Sequence, residues 1–232
     1  MTAIACVIFD LDGVLVDSEI WWDEVRATFA AEHGRTWGPA DQAAVMGANS
    51  AAWARIMRER MRLDLPEAEI ERAIVDAVVE RYRTEGAPGI DGAVEAVRRV
   101  AADRPVALAS SAHRAVIDAA LDATGLTGVF AVVVSSDEVA HGKPAPDVYL
   151  EAARHLGVDP AACLVVEDSF NGVRAARAAG MTVVLVPNRS VPPAPGTAEE
   201  ADLVLDRLSD LDLAIVERRA GAGDRVGDGD RA

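Results

Sequence analysis

The sequence predicts an α/β fold, a doubly wound parallel sheet interrupted after its first strand by an all-helical segment. Two observations predict it. From residue 87 onward, short apolar runs alternate with helical patterns, the arrangement that parallel strands with crossover helices require. Far upstream stands one isolated apolar run, IACVIF at 4–9, and everything between is helical in period.

The elements follow in order. IACVIF is a buried strand that ends on the acidic turn DLDG. Residues 18–86 then carry IWWDEVRATFAAEHG, a loop with Gly38 and Pro39, AAWARIMRERMR, and PEAEIERAIVDAVVERYR, whose apolar positions 70, 74, 77 and 78 share one helix face behind Pro66. TEGAPGIDG at 84–92 has the Gly and Pro of a return linker. Four helix and strand pairs follow: GIDGAVEAVRRVAAD with PVALAS, HRAVIDAALDATG with VFAVVVSS, PDVYLEAARHLG with ACLVVEDS, and NGVRAARAAG with MTVVLVP. PNRSVPPAPG is an extended loop before a last strand, ADLVL, and a closing helix. This divides the chain into an α/β core of residues 1–17 plus 87–217, a helical cap of 18–86, and a Gly- and Asp-rich tail, 218–232, predicted to be disordered.

Composition narrows the function. With 232 residues, half of them hydrophobic, the chain can build a large core. Its 23 basic against 38 acidic residues, a net charge of -15, disfavour a nucleic-acid or anionic-membrane partner, since no basic excess exists to neutralise phosphates. A small phosphorylated metabolite needs one or two cations in a pocket and is compatible. Cys6 and Cys163 sit inside apolar runs and read as core residues, which suits a reducing cytoplasm. The first residues show neither a basic n-region nor a signal-type apolar stretch, and the expected state is a monomer or small homo-oligomer. Lys143 is the sole lysine in an arginine-rich chain, which asks for a reason.

In an open parallel sheet the loops at the carboxyl ends of the strands converge on one crevice. Asp10 and Asp12 end the first strand, Ser110 and Ser111 end VALA, Glu167 and Asp168 end CLVV, and Lys143 lies in the loop after VVVSS. Carboxylates gathered this way need a divalent cation or protonation, and all-oxygen ligands favour Mg²⁺. A hydroxyl and an ammonium beside that metal suit a phosphoryl group, which a carboxylate can attack.

FDLDGV, the strand-ending Ser110, Lys143 in GKPAPDVY and EDS at 167–169 together resemble the four motifs of the haloacid dehalogenase superfamily, in order and across the chain to about residue 217. The resemblance implies a Rossmann-like core with a helical cap of the β-phosphoglucomutase and phosphatase subgroup. It makes Asp10 the nucleophile, Asp12 the acid and then the base, Ser110 and Lys143 the phosphate holders, and Asp10, Asp12, Glu167 and Asp168 the Mg²⁺ ligands. Many relatives read GDxxxD at the last motif, so Glu167 stands in here for the displaced carboxylate. Members that cleave carbon–halogen bonds lack an acid two residues after the nucleophile, and Asp12 therefore favours phosphoryl transfer. In β-phosphoglucomutase relatives a cap histidine follows the terminal Asp of the first motif by five residues; Asp17 matches that Asp, and Trp22 stands in the histidine's place.

The expectation is a Mg²⁺-dependent phosphatase of small phosphate monoesters, sugar or polyol phosphates, working through an aspartyl phosphate. A sugar phosphomutase is the alternative, and a non-catalytic phosphoryl-ligand protein a remote one. Ser111 reads as a helix cap before HRAVIDAA or as a second phosphate contact. Trp21, Val25 and Phe29 form a cap-core stripe, while Trp22, Trp53 and Arg55 are the candidates for substrate specificity. Arg55, Arg58 and Arg62 share one helix face, which reads first as solvated.

Overall fold

The computed structural model describes residues 3–46 and 48–223. Six parallel strands, β1 (Cys6–Phe9), β2 (Val106–Ser110), β3 (Val132–Ser135), β4 (Cys163–Glu167), β5 (Thr182–Leu185) and β6 (Leu203–Val204), form one sheet in the order β3-β2-β1-β4-β5-β6. The order reverses at β1, so the crevice beside β1 is the topological switch point where such sheets bind ligands.

β1, β2 and β4 are buried along their whole length, which is why their sequences are continuously apolar rather than alternating. Alternate residues still go to different faces. Val7, Phe9, Leu108, Leu164 and Val166 pack on one side with α5 (Ala93–Asp103) and α6 (Arg114–Ala123). Cys6, Ile8, Ala109 and Val165 pack on the other with α7 (Asp147–Leu156) and α8 (Phe170–Ala178). Cys6 and Cys163 are register partners and both are free thiols.

Four helices are inserted after β1: α1 (Glu19–Glu32), α2 (Pro39–Val45), α3 (Ser50–Met61) and α4 (Glu67–Glu85). Gly38 and Pro39, expected in a loop, instead open α2: Pro39 needs no backbone donor in the first turn, and the Asp41 carboxylate accepts the Gly38 N–H at 3.0 Å. On α1 the buried face is Trp22, Val25, Arg26 and Phe29, whereas Trp21 is half-buried against Tyr82. The apolar interior of these helices is continuous with the core on one face of the sheet.

The entry to and exit from the helical insert are bonded to each other. The Asp17 N–H donates to Pro88 at 2.8 Å, the Ile90 N–H to Leu15 at 3.1 Å, and Val16 bridges Gly89 in antiparallel fashion. After α9 (Thr197–Glu200) and β6, α10 (Leu213–Gly223) runs past residue 218, so the first part of the expected tail is helical; 224–232 lie outside the described residues.

Candidate active site

Parallel pairing sets Phe9 level with Leu108 and Val166, so the next residue along each strand, Asp10, Ala109 and Glu167, reaches the same edge of the sheet. Lys143 arrives there from the loop between β3 and α7. Its ammonium, 7% exposed, donates to Asp10 Oδ1 at 2.7 Å, Glu167 Oε1 at 2.6 Å and the Ala109 carbonyl at 3.2 Å. Three acceptors for three protons leave this lysine fully engaged. Burial alone would lower its pKa, but Asp10 and Glu167 raise it well above the usual value, so it is a fixed positive charge.

Glu167, expected among the metal ligands, stands with Asp10 and Asp168 in one carboxylate cluster and is also richly hydrogen-bonded. Oε1 accepts from Lys143 and from the Tyr149 hydroxyl at 2.7 Å. Oε2 accepts the Asp168 N–H at 2.9 Å, the Ser169 N–H at 3.0 Å and the Ser169 hydroxyl at 3.0 Å. Burial raises its pKa, yet Lys143 and these donors hold it below the usual range, and it stays ionised as the counter-ion that positions Lys143.

Asp10 and Asp168 remain less satisfied. Burial pushes Asp10 up to about 8, with Lys143 opposing and Glu167 and Asp12 reinforcing the rise. Burial and the charges of Glu167 and Asp10 push Asp168 well above the carboxylate range. Oxygens of Asp10, Glu167 and Asp168 all lie within 4.8 Å of one another, and one ammonium faces three carboxylates. Two negative charges in excess, buried and all-oxygen, fit a divalent hard cation such as Mg²⁺ among Asp10, Glu167 and Asp168. Gly13, at φ 84°, turns the chain here, and a Cβ on it would lie 1.9 Å from Asp168 Oδ2. Only glycine allows that approach.

Asp12 is on the same turn but points to the insert, where the Ser18 hydroxyl donates to its carboxylate. Burial raises its pKa, and Ser18 and the Trp22 indole oppose the rise. Ser110 Oγ accepts the Ala112 N–H at 3.0 Å, and both Ser110 and Ser111 line the site. Ser111 does not cap α6: His113 does, its Nδ1 accepting from the Ala115 N–H at 3.1 Å.

These groups open into a cavity of about 350 Å³ between the strand ends and the helical insert. Trp22 and Arg26 of α1, Met46, and Trp53 of α3 form the cap wall; Val191 to Ala194 form another. That second wall is tied to the insert's entry, because the Asp17 carboxylate accepts from Asn188 Nδ2 at 3.1 Å and from the Ser190 hydroxyl. Arg55 is not in the cavity. Trp53 and Met57 face inward, and a residue two positions from Trp53 is turned about 200° around the helix, so Arg55 is exposed to solvent. Ser18, Arg26, Tyr149 and Asn188 are the side chains that motif reading missed. Arg26 had a signal, its four-residue spacing from Trp22 on one helix face.

A family model described as haloacid dehalogenase-like hydrolase matches residues 4–180. The bifunctional riboflavin kinase/FMN phosphatase of Arabidopsis thaliana is 33% identical over 90% of this chain, which spans 55% of that longer protein. The fructose-1-phosphate phosphatase YqaB of Escherichia coli (strain K12) is 34% identical over 78% of this chain and 95% of its own length. In three dimensions, CbbY from Rhodobacter sphaeroides, solved in complex with phosphate, superposes with a TM-score of 0.77 at 27% identity, covering 92% of this chain and 99% of CbbY.

Proposed function

The chain belongs to the haloacid dehalogenase-like hydrolase family and is a phosphoric monoester hydrolase, and we propose that it hydrolyses small sugar or polyol phosphates with Mg²⁺ through an aspartyl phosphate. The observation that carries this reading is Lys143, bonded at once to Asp10 and Glu167 at the floor of a cavity lined by Ser110, Ser111 and Asp12. The similarity to a fructose-1-phosphate phosphatase supports the substrate class.

The chemistry follows from the residues. Asp10 is the strand-end carboxylate that attacks phosphorus, and Lys143 orients it and opposes the rise in its pKa. Ser110, Ser111 and Lys143 surround the place where the phosphoryl oxygens gain charge. Asp12 has a raised pKa and is held by Ser18, so it can give its proton to the departing alkoxide. The resulting carboxylate then takes a proton from the water that cleaves the aspartyl phosphate. Asp10, Glu167, Asp168 and the Asp12 carbonyl would hold Mg²⁺, which would neutralise charge on the phosphoryl oxygens.

Trp22 supports hydrolysis over transfer to a sugar. Its indole N–H is a donor with no accessible second protonation state, so it can steady the Asp12 carboxylate but cannot relay a proton. The test is release of inorganic phosphate from a panel of sugar and polyol phosphates with Mg²⁺ and with EDTA. Release that needs the metal and disappears in Asp10→Asn is expected; no release across the panel with Mg²⁺ refutes the proposal.

A further inference from the structure

The cap wall holds a cation that the hydrolytic chemistry does not use. Arg26 is 5% exposed and stands between two indoles, its guanidinium carbon 5.1 Å from the Trp22 ring centroid and 5.4 Å from that of Trp53. Nη1 donates to Gln42 at 3.1 Å. Nε is buried and has no hydrogen-bond partner among the described residues, and the side chain forms no ion pair among them. A guanidinium taken out of water with this little compensation is strongly disfavoured unless an anion completes its surroundings.

Glu19, Asp23 and Asp12 act on its charge, but none of them forms an ion pair with it among the described residues. Asp23, on the same helix, accepts the Trp37 N–H at 3.0 Å, and Asp12 is bonded to Ser18. Glu19 lines the same cavity without bonding to Arg26 among the described residues; burial and Asp12 push its pKa up to about 7, and Arg26 opposes the rise. Arg26 and the catalytic carboxylates line the same cavity. The aromatic faces beside the guanidinium fix its plane, as suits an oxyanion that accepts from a fork of N–H groups.

We propose that Arg26 is the binding site for a second anionic group, a phosphate or a carboxylate, carried by the substrate at the end remote from the transferred phosphoryl group. This rests on the phosphatase reading and narrows its substrate class to dianionic esters spanning the cavity. It also explains an arginine in a position where an apolar residue would pack between the indoles without desolvation.

The experiment compares three phosphate monoesters of equal chain length, ending in a hydroxyl, a carboxylate or a second phosphate, with the parent enzyme, Arg26→Met and Arg26→Lys in Mg²⁺. The parent is expected to prefer one of the anion-ended esters by about 10- to 100-fold in kcat/KM, the size of one charge-assisted contact. Arg26→Met should lose at least ten times more on that ester than on the hydroxyl-ended one, mainly in KM, with Arg26→Lys in between. Arg26→Met should also raise Tm by about 2–4 °C, because it removes a poorly compensated buried charge. A parent enzyme that treats the three esters alike, or a variant that loses equally on all three and melts lower, overturns the proposal. Should no ester be turned over, the phosphatase reading falls by itself. Calorimetric titration of an alkyl bisphosphate and an alkyl monophosphate then decides on Arg26: a tenfold loss confined to the bisphosphate in Arg26→Met supports it, and equal affinities refute it.

Discussion

Gly172→Ala should damage the enzyme although the position carries no chemistry. Gly172 lies in the first turn of α8, where alanine is the better helix former by about 1 kcal/mol. A methyl group there, however, would sit 1.7 Å from Glu167 Oε1 and 1.9 Å from its Cδ. Restoring a tolerable contact means moving the carboxylate by about 1.3 Å or more, against close packing. Glu167 is fully buried and holds Lys143 at 2.6 Å, and uncoupling such a pair costs about 3–5 kcal/mol. The balance is a destabilisation of about 2–4 kcal/mol, or a Tm lower by roughly 5–15 °C for a chain of this size. Misplacing the ammonium by about 1 Å should lower kcat/KM by about 100-fold. Thermal unfolding and phosphate release, with Gly89→Ala as the control where a methyl group meets open space, measure both. Adding Glu167→Asp, which withdraws the carboxylate, should recover at least about 1 kcal/mol relative to additivity. A Gly172→Ala enzyme as stable and as active as the parent would refute the role given to Glu167.

Lys143→Arg should not substitute: the three acceptors converge on a single nitrogen, and a planar fork cannot meet all of them, so kcat/KM is expected to fall by more than about 100-fold in steady-state assays. Asp10 and Asp168 have folded pKa values above their unfolded ones, so protonation favours the folded state; that stabilisation is present in acid and lost as pH rises toward about 8. Melting in EDTA should therefore show Tm falling between about pH 5 and pH 8, and the rise in Tm on adding Mg²⁺ should be larger at pH 8 than at pH 5. A metal effect independent of pH would contradict the charge balance drawn for the site.

The sheet was legible because buried parallel strands are written as unbroken apolar runs, and the carboxyl ends of those runs carry polar residues in a fixed order. Asp10, Ser110, Lys143 and Glu167 could be brought together on that rule alone. Its limit shows at Glu167, where residue type suggests a ligand and the Lys143, Tyr149 and Ser169 bonds, invisible in the sequence, add a role as counter-ion. The cap was less legible, since any of several helix faces could turn inward. Arg55, Arg58 and Arg62 looked like the cationic face, yet the buried cation is Arg26, whose partners Trp53 and Gln42 come from other helices. Gly38 and Pro39 misled for a local reason, because a proline that interrupts one helix can equally begin the next.

Lys143 has a consequence for handling the protein. It is the sole side-chain amine of the 232 residues, and it lies beneath the cavity with its three protons engaged. Acylating reagents attack only an unprotonated amine, and this one is held as a fixed positive charge, so the folded protein should leave its lysine unmodified. Dyes and crosslinkers of that kind become reporters of unfolding, since the side chain turns reactive only once Asp10 and Glu167 have released it.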